Sequence, residues 1–385
     1  MKKLLFITPF VPSSRTAGQH YTLRLLDRLS RDYSIDICLF HYPDETVPPS
    51  FGNARVVKSF TTSTVRMIGS ALKIPLVHPI FSSRFRLDLI RFLLNNQTRY
   101  DFFYFDFCQT FIYSLLLRKP AYLMAHDVVT QLFGRKRGLL NRLSAAFCRV
   151  SESIILKYSK ATILCFSVKD QKLITKYSGR HAIVVDFLID ERAGKLDYRK
   201  ISLKQQLSFY GAWHRKENSQ GLEWFIDNIL PKLDDKLEVV VMGKGLPGPI
   251  KRKIDTCKNI KYLGFVENPY EVIAQCQALV APLFEGAGVK VKVVESLACG
   301  TPVIGSAIAF EGIDFAHDLP IFQVDSIATY LEAIDHVNSY TVYDKARFKA
   351  SFESVYPRTT FDQVLSSIGL AVNHEVKAMR RAPIP

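Results

Sequence analysis

The sequence predicts two α/β domains, each a doubly wound sheet of mainly parallel strands covered by helices. Short apolar runs rich in β-branched and aromatic residues alternate with longer amphipathic stretches. Strands that alternate with helices favour parallel sheets joined by right-handed crossovers. The length of 385 residues suits two or three domains at roughly 150 residues each.

The predicted strands form two series along the chain. In the first half they are Leu4–Val11, Ile35–His41, Phe102–Phe107, Ala121–Ala125, Ala161–Phe166 and Ala182–Phe187. In the second half they are Leu207–Tyr210, Leu237–Met242, Ile260–Phe265, Ala278–Leu283, Thr301–Gly305 and Pro320–Val324. Helices are predicted between many of them, such as Tyr21–Ser30 and Gly221–Leu233. The charged stretch Asp190–Lys204 separates the two series. We therefore predict domains at residues 1–195 and 196–355, followed by a C-terminal helix at 356–385 that crosses back to the first domain.

The composition excludes several classes of protein. With 48% hydrophobic and 12% aromatic residues, the chain can bury large cores, which argues against a disordered or fibrous protein. The 51 basic and 36 acidic residues give a net charge of +15. A positive field attracts phosphate-bearing partners, namely nucleic acid, an anionic membrane surface or a nucleotide diphosphate.

The cysteines and the N-terminus indicate a cytoplasmic protein. No two of the seven cysteines form a CxxC motif, so a reduced compartment fits better than a disulfide framework. They are Cys38, Cys108, Cys148, Cys165, Cys257, Cys276 and Cys299. The apolar run after Lys3 resembles a short signal peptide, but Pro9 interrupts it, and we interpret it as a buried strand. No uninterrupted apolar stretch reaches the roughly 18 residues of a membrane-spanning helix.

The most informative segment is residues 281–305, APLFEGAGVKVKVVESLACGTPVIG. We predict a strand that ends at Leu283, a glycine-containing turn at Glu285–Gly288, and a helix that runs to about Cys299 and ends at Gly300. Glycines let backbone amides approach a ligand closely, and a helix N-terminus adds a positive dipole end. The turn is therefore a candidate phosphate site.

On this predicted helix, Lys292 and Glu295 lie on one face at about 100° per residue. The ammonium group could neutralise a diphosphate, and the carboxylate could accept hydrogen bonds from sugar hydroxyls. The same spacing also fits an ordinary charged pair on the exposed face of an amphipathic helix.

The order of motifs identifies a resemblance. The pattern G-x-G-x-K-x-K-x-x-E, followed by A-C-G-T-P-V-I, resembles the donor-site helix of the family-four retaining glycosyltransferases, which have the GT-B fold. Four further segments resemble that family in the same order. They are Phe209–Gly211 with Asn218 and 224–231, Val240–Gly245, Tyr262–Val266, and Glu311–Gly312. The first half is similar at Pro9–Ser13 with Ala17–Gly18, at His126–Asp127 and at Ser167–Asp170.

The resemblance implies roles for residues of the second domain. Glu295 would hold the ribose hydroxyls of the nucleotide. Lys292 would face the diphosphate, with Lys290 as the second candidate. The amides around Gly286, Ala287 and Gly288 would meet a phosphate or the donor sugar.

The resemblance also implies two residues of the first domain. Gly18 would let an N-terminal loop close over the β-phosphate. His126 would contact the donor sugar near the reacting carbon, although a histidine at a strand end can equally be a structural residue.

One departure from the family pattern concerns the donor sugar. Many members carry two glutamates separated by seven residues, and here Ala287 stands at the first of these positions. Glu285 is near, but its spacing differs by two residues. A subset of the family has the same G-A-G-V-K arrangement, so activity is not excluded, but the donor sugar stays open.

Two basic segments complete the candidate sites. Arg215 and Lys216 follow a predicted strand end and would suit a diphosphate leaving group, although they also fit a solvated loop. The stretch Val65–Tyr100 mixes arginines and lysines with apolar residues. It could lie on an anionic membrane or receive a lipid diphosphate acceptor, or it could form a core-packing helix with a charged outer face.

Taken together, these features predict a GT-B glycosyltransferase whose domains face each other across a cleft. It would move a hexosyl group from a UDP- or GDP-sugar to a hydroxyl of a glycan or lipid-linked acceptor. The resemblance to the family-four enzymes implies retention and a setting in cell-surface polysaccharide biosynthesis. His126, Lys292 and Arg215 are the candidate catalytic residues. No metal or other cofactor is expected, because no DxD pair lies in a suitable loop, and no nucleic-acid module is found.

Two alternatives stay open. The protein could be a non-catalytic partner that binds a nucleotide sugar or glycan. It could also be a nucleotide-sugar epimerase or hydrolase of the same fold. A cytoplasmic location is expected, and peripheral contact with the anionic inner face of the plasma membrane is left open.

Overall fold

The protein forms two compact α/β units in a computed structural model that describes residues 1–135, 138–313 and 319–356. The first unit contains Met1–Ser14 and Gly18–Leu188, and the second contains Arg15–Ala17 and the described residues from Ile189 onward. The predicted division after residue 195 falls between the two sheets. The predicted helix at 356–385 lies outside the described residues, apart from Tyr356.

The first unit is built on a sheet of eight strands among the described residues. They are β1 (Lys2–Thr8), β2 (Tyr33–His41), β3 (Ser50–Phe51), β4 (Ala54–Thr61), β5 (Phe102–Asp106), β6 (Ala121–Ala125), β7 (Thr162–Cys165) and β8 (Ala182–Val184). Their order is β3-β4-β2-β1-β5-β6-β7-β8. All neighbours are parallel except β3 and β4. The strand order therefore reverses between β1 and β5.

Helices connect these strands. They are α1 (Ala17–Leu29), α2 (Thr64–Lys73), α3 (Pro79–Ser82), α4 (Leu87–Asn96), α5 (Val129–Gly134), α6 (Leu139–Tyr158) and α7 (Val168–Ser178). Gln97–Arg99 and Cys108–Leu116 are 3-10 helical. The central strands β1, β5 and β6 are almost wholly buried, as expected for a parallel sheet between helical layers.

The second unit is built on a parallel sheet of six described strands. They are β9 (Gln206–Tyr210), β10 (Glu238–Met242), β11 (Ile260–Gly264), β12 (Ala278–Ala281), β13 (Val303–Gly305) and β14 (Ile321–Gln323). Their order is β11-β10-β9-β12-β13-β14. The order reverses between β9 and β12, which makes the carboxyl ends of these two strands the switch point of the sheet.

The helices of the second unit follow the same alternation. They are α8 (Glu191–Gly194), α9 (Lys216–Asn228), α10 (Gly248–Thr256), α11 (Pro269–Gln275), α12 (Val291–Ala298), α13 (Ile327–Val337) and α14 (Val342–Val355). Tyr198–Lys200 and Leu230–Lys232 are 3-10 helical. No helix within the described ranges is long and apolar enough to cross a membrane.

Helix α12 ends just before Gly300, as the sequence predicts, and a close contact explains the glycine at this position. Gly300 has φ +59°, and a Cβ there would lie 2.1 Å from the carbonyl oxygen of Lys345 in α14. The Lys345 side chain is itself fully buried and donates to the carbonyl oxygen of Cys276 at 2.6 Å. Burial lowers the pKa of Lys345 to about 7. Helix α14 is therefore held against the end of α12 by backbone contact and against the end of α11 by a buried amine.

Candidate functional site

The candidate donor site of the second unit lies at the switch point of its sheet. Loops leave β9 and β12 in opposite directions and lead to α9 and α12, which opens a crevice at the carboxyl edge. One hydrogen bond joins the two loop–helix segments, since Lys292 Nζ of α12 donates to Asn218 Oδ1 of α9 at 2.9 Å. The two segments thereby become one site.

The glycine–lysine segment (Glu285–Glu295) enters this crevice after β12. Gly286 has φ +132° and Gly288 has φ +66°, conformations that a side chain would strain. Lys290 Nζ donates to the carbonyl oxygens of Ala287 at 3.1 Å and Gly288 at 2.6 Å, which fixes the turn. The amides of residues 286–288 donate no hydrogen bond to any described backbone carbonyl. The turn can therefore offer these amides to an anionic ligand.

The environment of Lys292 is electropositive. Lys292 is half-buried as a whole residue. Burial of its ammonium group lowers the pKa of Lys292 to about 7, and repulsion from Lys290 and Arg215 contributes to this shift. The negative charge of Glu217 opposes the shift. An unliganded site therefore holds this lysine close to the midpoint of its titration at neutral pH. A bound diphosphate would favour the protonated form.

Glu295 lies deep in the unit, with only 2% of its surface exposed. Burial and then the Glu295 carboxylate raise the pKa of Cys299 on the next turn. Glu295 and Lys292 therefore do not form a charged pair on an exposed face, which was the alternative that the spacing left open.

The loop after β9 is packed tightly around Asn218. A Cβ on Gly211 would lie 3.2 Å from Asn218 Cγ, and Asn218 Nδ2 donates to the carbonyl oxygen of Ala212 at 3.0 Å. Trp213 is 1% exposed and its Nε1 donates to the carbonyl oxygen of Met242 at 3.0 Å. Sequence analysis noted Asn218 only as part of a motif and missed it as the partner of Lys292.

Arg215 and Lys216 stand at the start of α9, where Arg215 is the N-cap residue and Lys216 the first helical residue. Arg215 Nε contacts Glu217 Oε1 at 2.7 Å, and 54% of the Arg215 side chain is exposed. Both cations are accessible, so either can meet an anion, and the choice between them stays open.

A second cluster lies in the first unit at the carboxyl edge of β5 and β6. His126 follows β6, and Asp106 is the last residue of the adjacent β5, so both reach the same edge. His126 Nε2 is 2.7 Å from Asp106 Oδ1, and Thr22 Oγ1 donates to Asp106 Oδ2 at 2.6 Å. Asp106 is fully buried, whereas 11% of the His126 side chain is exposed. The buried carboxylate therefore orients the histidine.

Phe107 completes this histidine cluster (Gly18, Thr22, Asp106, Phe107 and His126). Its φ is +63°, a left-handed conformation that is rare for a bulky residue. Its ring is stacked on His126 with centroids 3.6 Å apart. A Cβ on Gly18 would lie 2.9 Å from the tip of the Phe107 ring. Strained residues gather at functional sites, which favours a role for this cluster beyond packing.

Gly18 differs from its predicted setting. It lies in the first turn of α1, not in a loop, because the helix begins at Ala17. The structure supplies a packing reason for a glycine there, since the Phe107 ring occupies the space of a side chain. Sequence analysis missed Asp106 and Phe107, which lie inside the aromatic run DFFYFDF and were interpreted as strand residues.

The predicted site residues thus fall into two groups. Gly18 and His126 belong to the first unit. The second unit contains Arg215 and Lys216 at the start of α9, and all the remaining predicted residues in the glycine–lysine segment: Gly286, Ala287, Gly288, Lys290, Lys292 and Glu295. Their predicted roles stay predictions. Across the described ranges no group of His, Cys, Asp or Glu side chains is arranged to hold a metal ion.

Comparison with known proteins relates this architecture to one fold. Residues 204–337 match the family profile described as Glycosyl transferases group 1. HepE from Anabaena, solved with UDP and glucose, superposes with a TM-score of 0.67 at 14% identity, covering 95% of this chain and 98% of HepE. The fold is that of GT-B glycosyltransferases.

Two other GT-B structures are similar over the same span. WaaG, a glycosyltransferase involved in lipopolysaccharide biosynthesis, has a TM-score of 0.66 at 13% identity and is matched over 95% of this chain and 99% of its own. Sucrose-phosphate synthase from Thermosynechococcus elongatus has a TM-score of 0.68 at 11% identity, and the match covers 95% of this chain and 98% of the synthase. No curated protein matches the chain by sequence. The predicted GT-B fold is confirmed.

The contact between Gly18 and Phe107 can be tested by a mutant cycle. Gly18→Ala should lower the free energy of unfolding. The new methyl group must displace the Phe107 ring from its stack on His126, and this costs more than the roughly 1 kcal/mol by which alanine is favoured over glycine in a helix. In a Phe107→Ala background the same change should be neutral or stabilising. Urea unfolding of the four proteins measures both effects.

Gly69→Ala in α2 is the matched control for this cycle, because a Cβ there meets no atom within 4 Å. It should stabilise the protein by up to about 1 kcal/mol. Equal effects of Gly18→Ala with and without Phe107 would show that the ring does not impose the glycine.

Proposed function

We propose that this protein transfers a hexosyl group from a nucleotide-diphospho sugar to a hydroxyl of a glycan or lipid-linked acceptor, with retention and without a metal. The glycine–lysine segment carries the proposal, because it brings the turn amides of residues 286–288, Lys292 and the buried Glu295 to the switch point of a sheet within the matched region 204–337. The UDP in the HepE structure favours UDP over GDP as the donor nucleotide.

The chemistry follows from where charge develops. When the bond between the anomeric carbon and the diphosphate oxygen breaks, its electron pair goes to the diphosphate. Fixed donors that face this charge stabilise the transition state more than the ground state. Lys292, Lys290 and the amides of residues 286–288 are the donors that we assign to it, with Arg215 or Lys216 at the accessible rim.

Glu295 is proposed to hold the ribose. Its carboxylate is acceptor-only when ionised and can take hydrogen bonds from two vicinal hydroxyls. Its burial keeps water from competing for those hydrogen bonds. Because Ala287 has no polar side chain, we assign contact with the donor hexose at this position to the backbone of the turn.

His126 is proposed to contact the donor sugar. If Asp106 accepts from Nε2–H, the neutral ring presents Nδ1 as an acceptor for a sugar hydroxyl. Asp106 would then be a positioning residue that fixes the tautomer, and Thr22 holds Asp106 in place.

The cellular setting is proposed from the neighbours. The involvement of WaaG in lipopolysaccharide biosynthesis supports a cell-surface polysaccharide pathway, with the protein in the cytoplasm and in peripheral contact with the membrane. The missing glutamate at Ala287 keeps two other functions in view, a non-catalytic nucleotide-sugar or glycan binder and an epimerase or hydrolase.

Ligand-dependent unfolding followed by product analysis tests the proposal. At about 100 times its dissociation constant, a ligand stabilises the folded state by about 2.7 kcal/mol. UDP-sugars should raise the melting temperature more than GDP-, ADP- or CMP-sugars, with NAD as a control. Incubation of the stabilising donor with glycan and lipid-linked acceptors should then yield a glycosylated acceptor by mass spectrometry. Release of free sugar without a glycosylated acceptor would indicate a hydrolase. Conversion of the donor into a different nucleotide sugar would indicate an epimerase. Binding of the donor without turnover would indicate a non-catalytic partner.

The role of Glu295 can be tested with modified nucleotides. The parent should bind UDP more tightly than 2′,3′-dideoxy-UDP by about tenfold or more, because a charged hydrogen bond contributes roughly 1.5–3 kcal/mol. Glu295→Gln should lose most of that preference while retaining its fold. Glu223→Gln, at a half-exposed position of α9 where the carboxylate pairs with Lys253, is the matched control and should keep it. If Glu295→Gln discriminates as well as the parent, the carboxylate does not hold the ribose.

The pKa of Lys292 predicts a proton-linked affinity. The pKa is about 7 in the free protein, and a bound diphosphate raises it, so the complex binds protons that the free protein lacks above neutral pH. Affinity for a UDP-sugar should therefore weaken by several-fold from about pH 7 to about 8.5. Calorimetry in buffers of different ionisation enthalpy should detect proton uptake.

Lys292→Arg is the comparison, because a guanidinium stays charged throughout this range. The variant should show a much flatter affinity profile and little proton uptake, whatever its absolute affinity. A parent profile that is equally flat would remove Lys292 from the diphosphate site.

A further inference from the structure

Helix α6 of the first unit is apolar on two faces. One face packs into the unit through Cys148, Ile155 and Leu156, which are at most 2% exposed. The other face, which we call the α6 seam, points to solvent. The seam consists of Leu139 (73% exposed), Leu140 (81%), Leu143 (60%), Phe147 (36%), Val150 (53%), Ile154 (47%) and Tyr158 (66%). Its residues recur every three or four positions and cover an arc of about 100° along the whole helix.

A basic groove adjoins the C-terminal half of the seam. It lies against α7 and has a volume of about 510 Å³. Val150, Ile154 and Tyr177 provide apolar lining, and the cations Arg149, Lys157 and Lys176 stand around it. All three cations are exposed, and none forms an ion pair with a described residue. We call this the α6–α7 groove.

The acidic side chains of α6 and α7 are buried and do not contribute to this surface. Glu152 is the sole acid of α6; it is 4% exposed and accepts hydrogen bonds from the amides of Val129 and Thr130 at 3.0 Å. Asp170 is the sole acid of α7 and is fully buried. The exposed surface of the two helices is therefore apolar and positive, without a compensating negative group.

Helix α2 of the same unit also has exposed apolar residues. Val65, Ile68 and Leu72 are 78%, 58% and 72% exposed, and Leu76 just after the helix is 85% exposed. His78 ties this segment to α6, since its amide donates to Ser151 Oγ at 2.8 Å. The membrane hypothesis for residues 65–100 thus fits α2, whereas α4 buries Leu89 and Leu93 and fits the core-packing alternative.

The charges select the occupant of this surface. Seven exposed apolar residues form one stripe along α6, and contiguous exposed apolar patches mark interaction sites. A second copy docked seam to seam would offer Arg149, Lys157 and Lys176 no acidic partner from α6 or α7, because Glu152 and Asp170 are buried. An anionic bilayer instead offers hydrocarbon for the seam and phosphates for the cations, which is the pattern of helices that lie in a membrane interface.

We propose that the α6 seam and the α6–α7 groove bind the surface of an anionic membrane. The seam enters the boundary between headgroups and acyl chains, and Arg149, Lys157 and Lys176 contact lipid phosphates. This assigns a surface to the peripheral membrane contact named above. The proposal rests on the proposed function only for the reason why the protein would bind a membrane, since a lipid-linked acceptor would lie in that membrane. Membrane binding itself requires neither donor nor turnover.

Vesicle co-sedimentation of the full chain tests this proposal. The protein should sediment with vesicles that contain phosphatidylglycerol and remain in solution with vesicles of phosphatidylcholine alone, and high salt should release it. The charge variant Arg149→Glu/Lys157→Glu/Lys176→Glu and the seam variant Leu140→Ser/Leu143→Ser should each lower the partition coefficient by about tenfold or more.

Matched controls lie in the second unit. Lys232→Glu/Lys236→Glu/Lys258→Glu changes the net charge equally, and Tyr343→Ser removes an exposed aromatic residue. Both controls should sediment like the parent, and all variants should keep the parent melting temperature. Equal sedimentation of the parent and the charge variant, or of the triple control and the charge variant, would overturn the proposal.

Two further readouts separate other outcomes. A dimer in the absence of vesicles that the seam variant abolishes would make a second copy the occupant and would contradict the membrane assignment. Nucleotide affinity and transfer to a soluble acceptor should be the same in the parent and the charge variant, because these residues lie outside the donor site. Loss of vesicle binding and loss of donor activity are thus measured independently.

Discussion

The hydrogen bond from Lys292 to Asn218 is the interaction on which the candidate donor site depends. It spans 2.9 Å between helices that follow β9 and β12, the two strands at which the second sheet reverses its order. Parallel strands all end at one edge, so the two loops must diverge there and leave a crevice. A lysine placed in that crevice loses hydration, and its lowered pKa is the physical consequence. The same topology therefore brings Lys292 to the switch point and accounts for its loss of hydration.

The first unit uses the same edge geometry for a different chemistry. Asp106 and His126 end adjacent strands, and a fully buried carboxylate can remain there because Thr22 and the imidazole both hydrogen-bond to it. Phe107 adopts a left-handed conformation between them, which turns its ring onto the histidine. Orientation of His126 thus comes from the hydrogen bond to Asp106 and from ring contacts with Phe107, Tyr21 and Phe166. Gly18 provides the space that the Phe107 ring requires.

Sequence could predict the sheets better than the contacts within the sites. Buried parallel strands produce continuous apolar runs, so all twelve predicted strands have counterparts in the structure, with ends that differ by up to three residues. Strands β3 and β4 were missed because β4 is half exposed and carries Arg55 and Lys58, which blur the apolar pattern. The burial of Glu295 could not be predicted, since helical spacing shows which residues share a face but not what covers that face. The seam of α6 was missed for the same reason.

The protein has a net charge of +15, and its basic residues occupy at least two different electrostatic environments. Lys292 is held in a crevice by a single amide oxygen, where salt screens its interactions weakly and geometry limits it to a ligand of matching shape. Arg149, Lys157 and Lys176 are exposed beside the α6–α7 groove, and we propose that they act together on a surface that presents many phosphates. A cation held by a hydrogen bond suits the recognition of one ligand, and exposed cations beside an apolar seam suit binding to an extended surface. The proposed donor site and the proposed membrane surface therefore use different basic residues of the chain.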